Sequence, residues 1–221
     1  MVFVKASIEN PIPLAALWRE THVDPSSSLI AQSIRAILLI DCFRLGFGII
    51  EMKFQKLVAS LERFGNALPV MLNGISNDDA KWKPENGNWS ILEIVCHLID
   101  EEQEDFGCRF RSTLHDPTAA WPAWDPEGCA VSREYNSRDL SEMIGEFVKA
   151  RNDSVTWLKQ LPEIDLTLAY EHPKLGSIPA GNVFASWVAH DLLHMRQFAK
   201  RMYELTMRDA EGFSVAYAGN W

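Results

Sequence analysis

The chain has 221 residues, 47% of them hydrophobic and 23% charged. Those are the proportions of an ordinary globular protein, which excludes wholesale disorder and a fibrous repeat. Thirty acidic residues against 21 Lys and Arg leave a formal charge of −9, and a nucleic-acid partner needs a basic face that this balance does not favour.

Cys42, Cys96, Cys108 and Cys129 have none of the close spacings of a zinc knuckle or a disulfide framework, so a reducing compartment is expected. The longest apolar stretch, residues 36–50, is interrupted by Asp41 and Arg44 and falls short of the roughly 20 residues that span a bilayer. The amino terminus, with Lys5 followed by Glu9, Pro11 and Pro13, does not read as a signal peptide. A cytoplasmic protein without a membrane partner is expected.

Residues 1–51 are broken by Pro11, Pro13, Pro25 and Ser26-Ser27-Ser28 and read as an extension with one helix near 29–43. Met52 then opens a clean helical pattern: either it is the natural start and the prefix an upstream extension, or the prefix contributes an amino-terminal helix packed on the domain. The first long helix is expected over 53–75, with Phe54, Leu57, Leu61, Phe64, Leu68 and Met71 at steps of three and four. Pro69 should kink it or end it early. A second helix begins at the capping box Ser90–Glu93 and continues to about 114. A Pro- and Gly-containing loop over 115–136 leads to a third helix after Ser137, a good N-cap. Residues 162–181 form a connection with a short extended piece at 166–170, and a fourth helix runs over 182–205. Four amphipathic helices with two longer links predict an all-α four-helix bundle over 52–206, between the extension at 1–51 and a tail at 207–221.

Two of the six histidines stand out. His190 and His194, four residues apart, lie one above the other on a helix face and within reach of a single ion. On a helical wheel they fall at the edge of the apolar stripe that holds Phe184, Trp187, Phe198 and Met202. Two readings remain open: a metal pair lining a cleft, or a buried pair satisfied by backbone carbonyls. His97, early in the second helix and just outside its apolar arc, is either a third ligand or a solvated surface histidine. Three neutral imidazoles with open positions would make a catalytic site, whereas a structural zinc site would close all four.

The segments Trp89-Ser90-Ile91-Leu92-Glu93-Ile94-Val95-Cys96-His97-Leu98 and His190-Asp191-Leu192-Leu193-His194-Met195-Arg196-Gln197 resemble the DinB/YfiT-like superfamily of metal-dependent enzymes. The match covers residue 52 to about 206. It implies an antiparallel four-helix bundle, often a homodimer, in which His97, His190 and His194 hold a divalent cation of unspecified identity (Zn, Ni, Mn or Fe). Characterised members include S-transferases that use bacillithiol or related small thiols, and a mycothiol-dependent isomerase. The resemblance therefore implies a small-molecule thiol and an electrophilic substrate as partners. The first 51 residues depart from the pattern, because members usually begin near the position of Met52.

Such an ion lowers the pKa of bound water and deprotonates a coordinated thiol. Transfer of a thiol to an electrophile and hydrolysis of an ester or amide both follow, and only the resemblance favours transfer. Glu101 and Glu104, one and two turns beyond His97, are candidates to accept a proton or orient water, or are plain surface carboxylates. Gln197, one turn past His194, is a candidate donor to a metal-bound ligand. Trp121, Trp124 and Asp125 either roof the cleft or pack beneath their loop. Cys96, Cys108 and Cys129 read as small apolar fillers.

Overall fold

The computed structural model describes residues 54–85, 87–219 and 221. The extension, its helix near 29–43 and the standing of Met52 lie outside the described residues. The first long helix, α1, is described over 54–71 and contains Pro69 in its last turn. A short α2, Asn77–Lys81, follows. At Ser90 both halves of the capping box form: Ser90 Oγ accepts from the Glu93 N–H, and the Glu93 carboxylate accepts from the Ser90 N–H at 2.8 Å.

The second long helix has three parts: α3, Ile91–Asp100; a π-helical turn, Glu101–Asp105; and α4, Phe106–His115. The wide turn was not foreseen. The expected loop after it contains α5, Pro126–Ser132, which Asp125 caps by accepting from the Gly128 N–H. Ser137 lies in a 3-10 turn, Tyr135–Ser137, and is not the N-cap of the third long helix. Asp139 does that work for α6, Leu140–Gln160, its carboxylate accepting from the N–H groups of Ser141 and Glu142. The extended piece expected over 166–170 overlaps only the start of β1, Ala169–His172, because 166–167 form a turn; β1 pairs antiparallel with β2, Gly176–Pro179. The fourth long helix, α7, spans Ala180–Asp209, longer at both ends than its pattern suggested.

The buried apolar residues form two clusters. One takes Phe64 and Leu68 from α1, Ile91 to Ile99 from α3, Leu140 to Phe147 from α6, and Phe198 and Leu205 from α7. The other takes Phe54 to Leu61 from α1, Phe110 from α4, Val155 and Leu158 from α6, and Val183 to Val188 from α7. Chain order through the clusters gives the helix directions. Helices α1 and α7 run one way, α3–α4 and α6 the other, so each long helix is antiparallel to two of its neighbours. Because the second and third run the same way, the chain between them must return along the bundle, and the segment with α5 does this.

Between the two clusters, at one level in α6, α7 and the second long helix, the buried residues are polar: Arg151, Ser154, Asp191, His194, Glu101, Glu102 and Asp105. The π-turn falls at this level. A π-turn holds one residue more than an α-turn, and it brings three acidic side chains inward here. Gly107 makes it possible, since a Cβ at that position would stand 2.3 Å from the Glu102 carbonyl oxygen. In an ordinary helix, Ala in place of Gly is worth about 1 kcal/mol of stability. Here the obstacle is backbone, and crowding of this kind costs about 1–3 kcal/mol. Gly107→Ala is therefore expected to lower the thermal midpoint measured by circular dichroism. A rise would show that the π-turn is not confined in this way.

Candidate metal centre

His190 and His194 face one another from successive turns of α7, with their Nε2 atoms 3.0 Å apart. Two nitrogens bound at roughly 2.0–2.1 Å to one zinc stand about 3 Å apart, so the pair already has a chelating separation. From α3, the His97 ring lies 4.8 Å from that of His194 and 5.5 Å from that of His190. One ring nitrogen from each of the three falls within 4.8 Å of the others. Trp89 packs on His97 at 4.7 Å and Phe106 on His190 at 5.0 Å, which limits ring rotation.

Burial, the leading cause for all three rings, keeps the imidazoles neutral. Desolvation and the neighbouring histidines lower His97 to about 2, desolvation lowers His190 to about 3, and desolvation lowers His194 to about 4 despite Gln197. Neutral imidazole is the metal-binding form. The His194 Nδ1–H donates to Gln197 Oε1 at 2.8 Å, which leaves the Nε2 lone pair toward His190. His97 Nδ1 is buried and has no hydrogen-bond partner among the described residues. Three neutral rings, one with an orphaned nitrogen, fit a divalent cation.

Beside His97 stands Glu101, with Oε1 3.5 Å from the His97 Nε2. Trp124 Nε1–H donates to the same oxygen at 2.8 Å. Burial, followed by repulsion from Asp105, pushes the Glu101 carboxyl up to about 8. Asp105 is also raised by burial, although Arg109, 2.5 Å away, opposes the rise. Two carboxyl groups packed together out of water hold a proton between them at neutral pH.

The histidines open on a cleft of about 1030 Å³, lined also by Trp89, Glu101, Val131, Leu193 and Gln197. Behind it lies the buried cation Arg151. Its Nη1 and Nη2 bond Asp191 at 2.6 and 2.9 Å, its Nε bonds Glu102 at 3.0 Å, and Nη1 also donates to the Leu61 carbonyl at 3.1 Å. Trp187 Nε1–H donates to the same Glu102 oxygen, Oε2, at 3.0 Å, and Oε1 has no hydrogen-bond partner among the described residues. Asp191 adjoins His190 in α7 and Glu102 adjoins Glu101 in the π-turn, so one guanidinium ties together the two backbone segments that carry the site.

With this arrangement established, known proteins can be compared. The sequence profile of the DinB superfamily matches residues 60–198. The chain belongs to the DinB superfamily. A protein of Oceanobacillus iheyensis, named as a candidate metal-dependent hydrolase, is 23% identical over 131 residues, covering 58% of this chain and 74% of its own. The structure of YfiT from Bacillus subtilis, described as a candidate metal-dependent hydrolase with an unusual four-helix bundle topology, superposes with a TM-score of 0.62 at 18% identity. That alignment covers 69% of this chain and 87% of YfiT. At that identity the likeness establishes the bundle fold.

Among the residues singled out from sequence, His97, His190, His194, Glu101 and Gln197 come together at the cleft. Glu104 does not. Its carboxylate is exposed and forms a two-pronged pair with Arg133 at 2.7 and 2.8 Å. The wider π-turn lags behind α-helical phase, which swings Glu104 away and brings Asp105 into line with His97 and Glu101. Trp124 reaches the site through Glu101. Trp121 instead stacks on Tyr170 at 4.3 Å and donates to Thr113. Cys96 is buried against Tyr135, and desolvation pushes its thiol up to about 12, which leaves it inert. The pattern reading missed Arg151 and Asp105, although Arg151 stands four residues from Phe147 and from Val155 on the buried stripe of α6. No helix among the described residues is long and apolar enough to cross a membrane.

Two outcomes follow. Zinc, nickel or manganese at about 100 times its Kd is expected to stabilise the fold by about 2.7 kcal/mol, seen as a thermal shift that His97→Ala, His190→Ala and His194→Ala each abolish. A variant that keeps the full shift is not a ligand mutant. Arg151→Ala strands two buried carboxylates, and urea unfolding should show a loss of about 3–5 kcal/mol.

Proposed function

We propose that the protein is a metal-dependent hydrolase of a small ester or amide, with His97, His190 and His194 as the ligands. The observation that carries this reading is the meeting of three neutral imidazoles, two buried and one half-buried, from helices far apart in sequence, beside a carboxyl group at the floor of an open cleft. The names of the O. iheyensis relative and of YfiT support it. A divalent ion (zinc, nickel, manganese or iron) held by these three histidines would supply a Lewis acid and lower the pKa of water there.

The chain's own residues divide the remaining tasks. Glu101 takes the proton from the attacking water at Oε1 or Oε2 and returns it to the departing alcohol or amine. Its raised carboxyl suits the return of the proton, while the ionised form that accepts one gains as pH rises toward 8; burial together with Asp105 keeps the value high. Trp124 holds Oε1 toward His97 and covers the carboxyl from solvent. Gln197 fixes the tautomer of His194, and the Arg151 pairings keep both helices in register. The atoms balance: one water and one ester give a carboxylic acid and an alcohol.

Thiol S-transfer is the second reading, and the size of the cleft favours it. At about 1030 Å³ the cleft sits at the top of the range for sites that enclose one drug-sized ligand, about 300–1,000 Å³, and admits a thiol together with an electrophile. In that reaction the thiolate sulfur forms the new bond and the leaving group departs with its electron pair. The thiol would come from outside, because no described cysteine lines the cleft.

Metal-loaded protein is expected to hydrolyse p-nitrophenyl esters. Glu101→Gln should lower kcat by about 10²–10⁴ while metal content, measured by mass spectrometry, stays at the wild-type level. Consumption of thiols with monochlorobimane in the absence of any esterase activity would replace hydrolysis with transfer. Turnover that survives His190→Ala would remove both.

A further inference from the structure

The stripe of α7 that carries the histidines does not stop with them. His190, His194, Gln197 and Arg201 follow at steps of four, three and four and share one helix face, and all four line the cleft. Arg201 is only 5% exposed. Its one ionic partner among the described residues is Glu204 on the same helix, with Nη1 2.7 Å from Oε2. Neither atom of that contact makes a hydrogen bond of sound geometry, and no other part of the guanidinium bonds a described residue.

Arg151 shows what a satisfied buried arginine looks like in this fold: four hydrogen bonds to two carboxylates and a carbonyl. A guanidinium offers five N–H donors in a planar fork, and buried charges are normally paired and fully bonded. Arg201 keeps most of its donors unspent at the wall of a cleft. Arg196, also lining the cleft, is exposed and forms no ion pair with a described residue. Lys200 is committed in part to Trp221, 5.1 Å from the ring centre, and lies 3.9 Å from Glu204. Lys83 is occupied by Glu93 at 2.8 Å.

From this we infer that Arg201 anchors an anionic group of the molecule that reacts at the three histidines, and that this group is a carboxylate. The inference rests on the reading of the cleft as the reactant site. A monoanion is favoured over a phosphate because Glu93 and Glu127 line the same cleft and oppose a second negative charge. Arg201 stands seven residues beyond His194, about 10 Å along the helix at 1.5 Å per residue. The ligand is therefore extended, with its reacting carbonyl at the histidines and its carboxylate one or two turns away. Trp89, Ala130 and Val131 also line the cleft and suit an apolar portion of the ligand. The hydrolase reading then narrows to an amphipathic carboxylated ester or amide, and the transfer reading to an acidic reactant of the same shape.

Calorimetric titration tests this on the full chain, with and without added zinc, using 4-phenylbutyrate, its neutral amide and benzyl phosphate. The acid is expected to bind at least tenfold more tightly than the amide, and Arg201→Gln should erase that difference. Arg201→Lys should keep part of it, since it retains charge without the fork. Glu204→Gln removes a competing carboxylate and should tighten the acid severalfold, a gain that a purely structural arginine would not produce. If Arg201→Gln does not fold, opposite shifts in Arg201→Lys and Glu204→Gln support the assignment, and unchanged affinity in both overturns it. Equal binding of acid and amide overturns it, as does acid binding that needs zinc and ignores position 201. Benzyl phosphate binding more than tenfold tighter than the acid overturns the choice of carboxylate. Among esters, the ratio of kcat/KM for a p-nitrophenyl hemiester to that for a neutral ester should fall at least tenfold in Arg201→Gln. If no ester is turned over, the hydrolase reading fails while the titrations still decide the role of Arg201.

Discussion

A guanidinium shut inside a helical bundle, gripped by two carboxylates from different helices, is the constraint on which the centre of this molecule depends. Burying Arg151 with Glu102 and Asp191 is a poor source of stability, because desolvating three charges offsets much of their attraction. Desolvation accordingly pushes Asp191 up to about 6 even against the arginine. What the arrangement supplies is registry. The fork geometry fixes α7 against the π-turn at the level where the imidazoles meet, and Gly65 leaves room for the arginine stem to cross α1, since a Cβ there would lie 2.8 Å from Arg151 Cγ.

Above and below this level the bundle is conventional. The two apolar clusters hold the helices with side chains from all four, and their spacing is that of an ordinary amphipathic stripe. Apolar packing thus resides at the two ends and the buried polar groups in the middle. This division lets the middle carry two carboxyl groups packed together out of water beside a buried guanidinium, which a uniform apolar core would not tolerate.

Much of this was legible from residue order. The steps of three and four in 54–71 and 140–160 mark their helices, and the Ser90–Glu93 box marks a helix start within a residue. The pair at 190 and 194 identifies a chelating face because α-helical geometry alone places those rings together. The site reading failed where the helix stopped being an α-helix. Glu104 was placed beside His97 by a 3.6-residue period that does not hold across 101–105, and Asp105 was passed over for the same reason. No local rule marks a π-turn; the acidic run and Gly107 suggest one only after the carbonyl of Glu102 is seen against the glycine. Ser137 was a sound cap by type, yet Asp139, two residues on, offers an ionised acceptor to two N–H groups, and the helix starts there instead.

The π-turn also places fold and function at odds within a single residue. Deleting one position from 101–105 would restore uninterrupted α-helical bonding through the second long helix and leave both apolar clusters intact, so such a shortened chain could still assemble its bundle. It would do so with the acidic side chains rotated out of phase with the imidazoles, a sound scaffold around a dismantled centre. Sequence length in this one turn, more than the identity of any surface residue, therefore sets whether the acidic side chains meet the imidazoles.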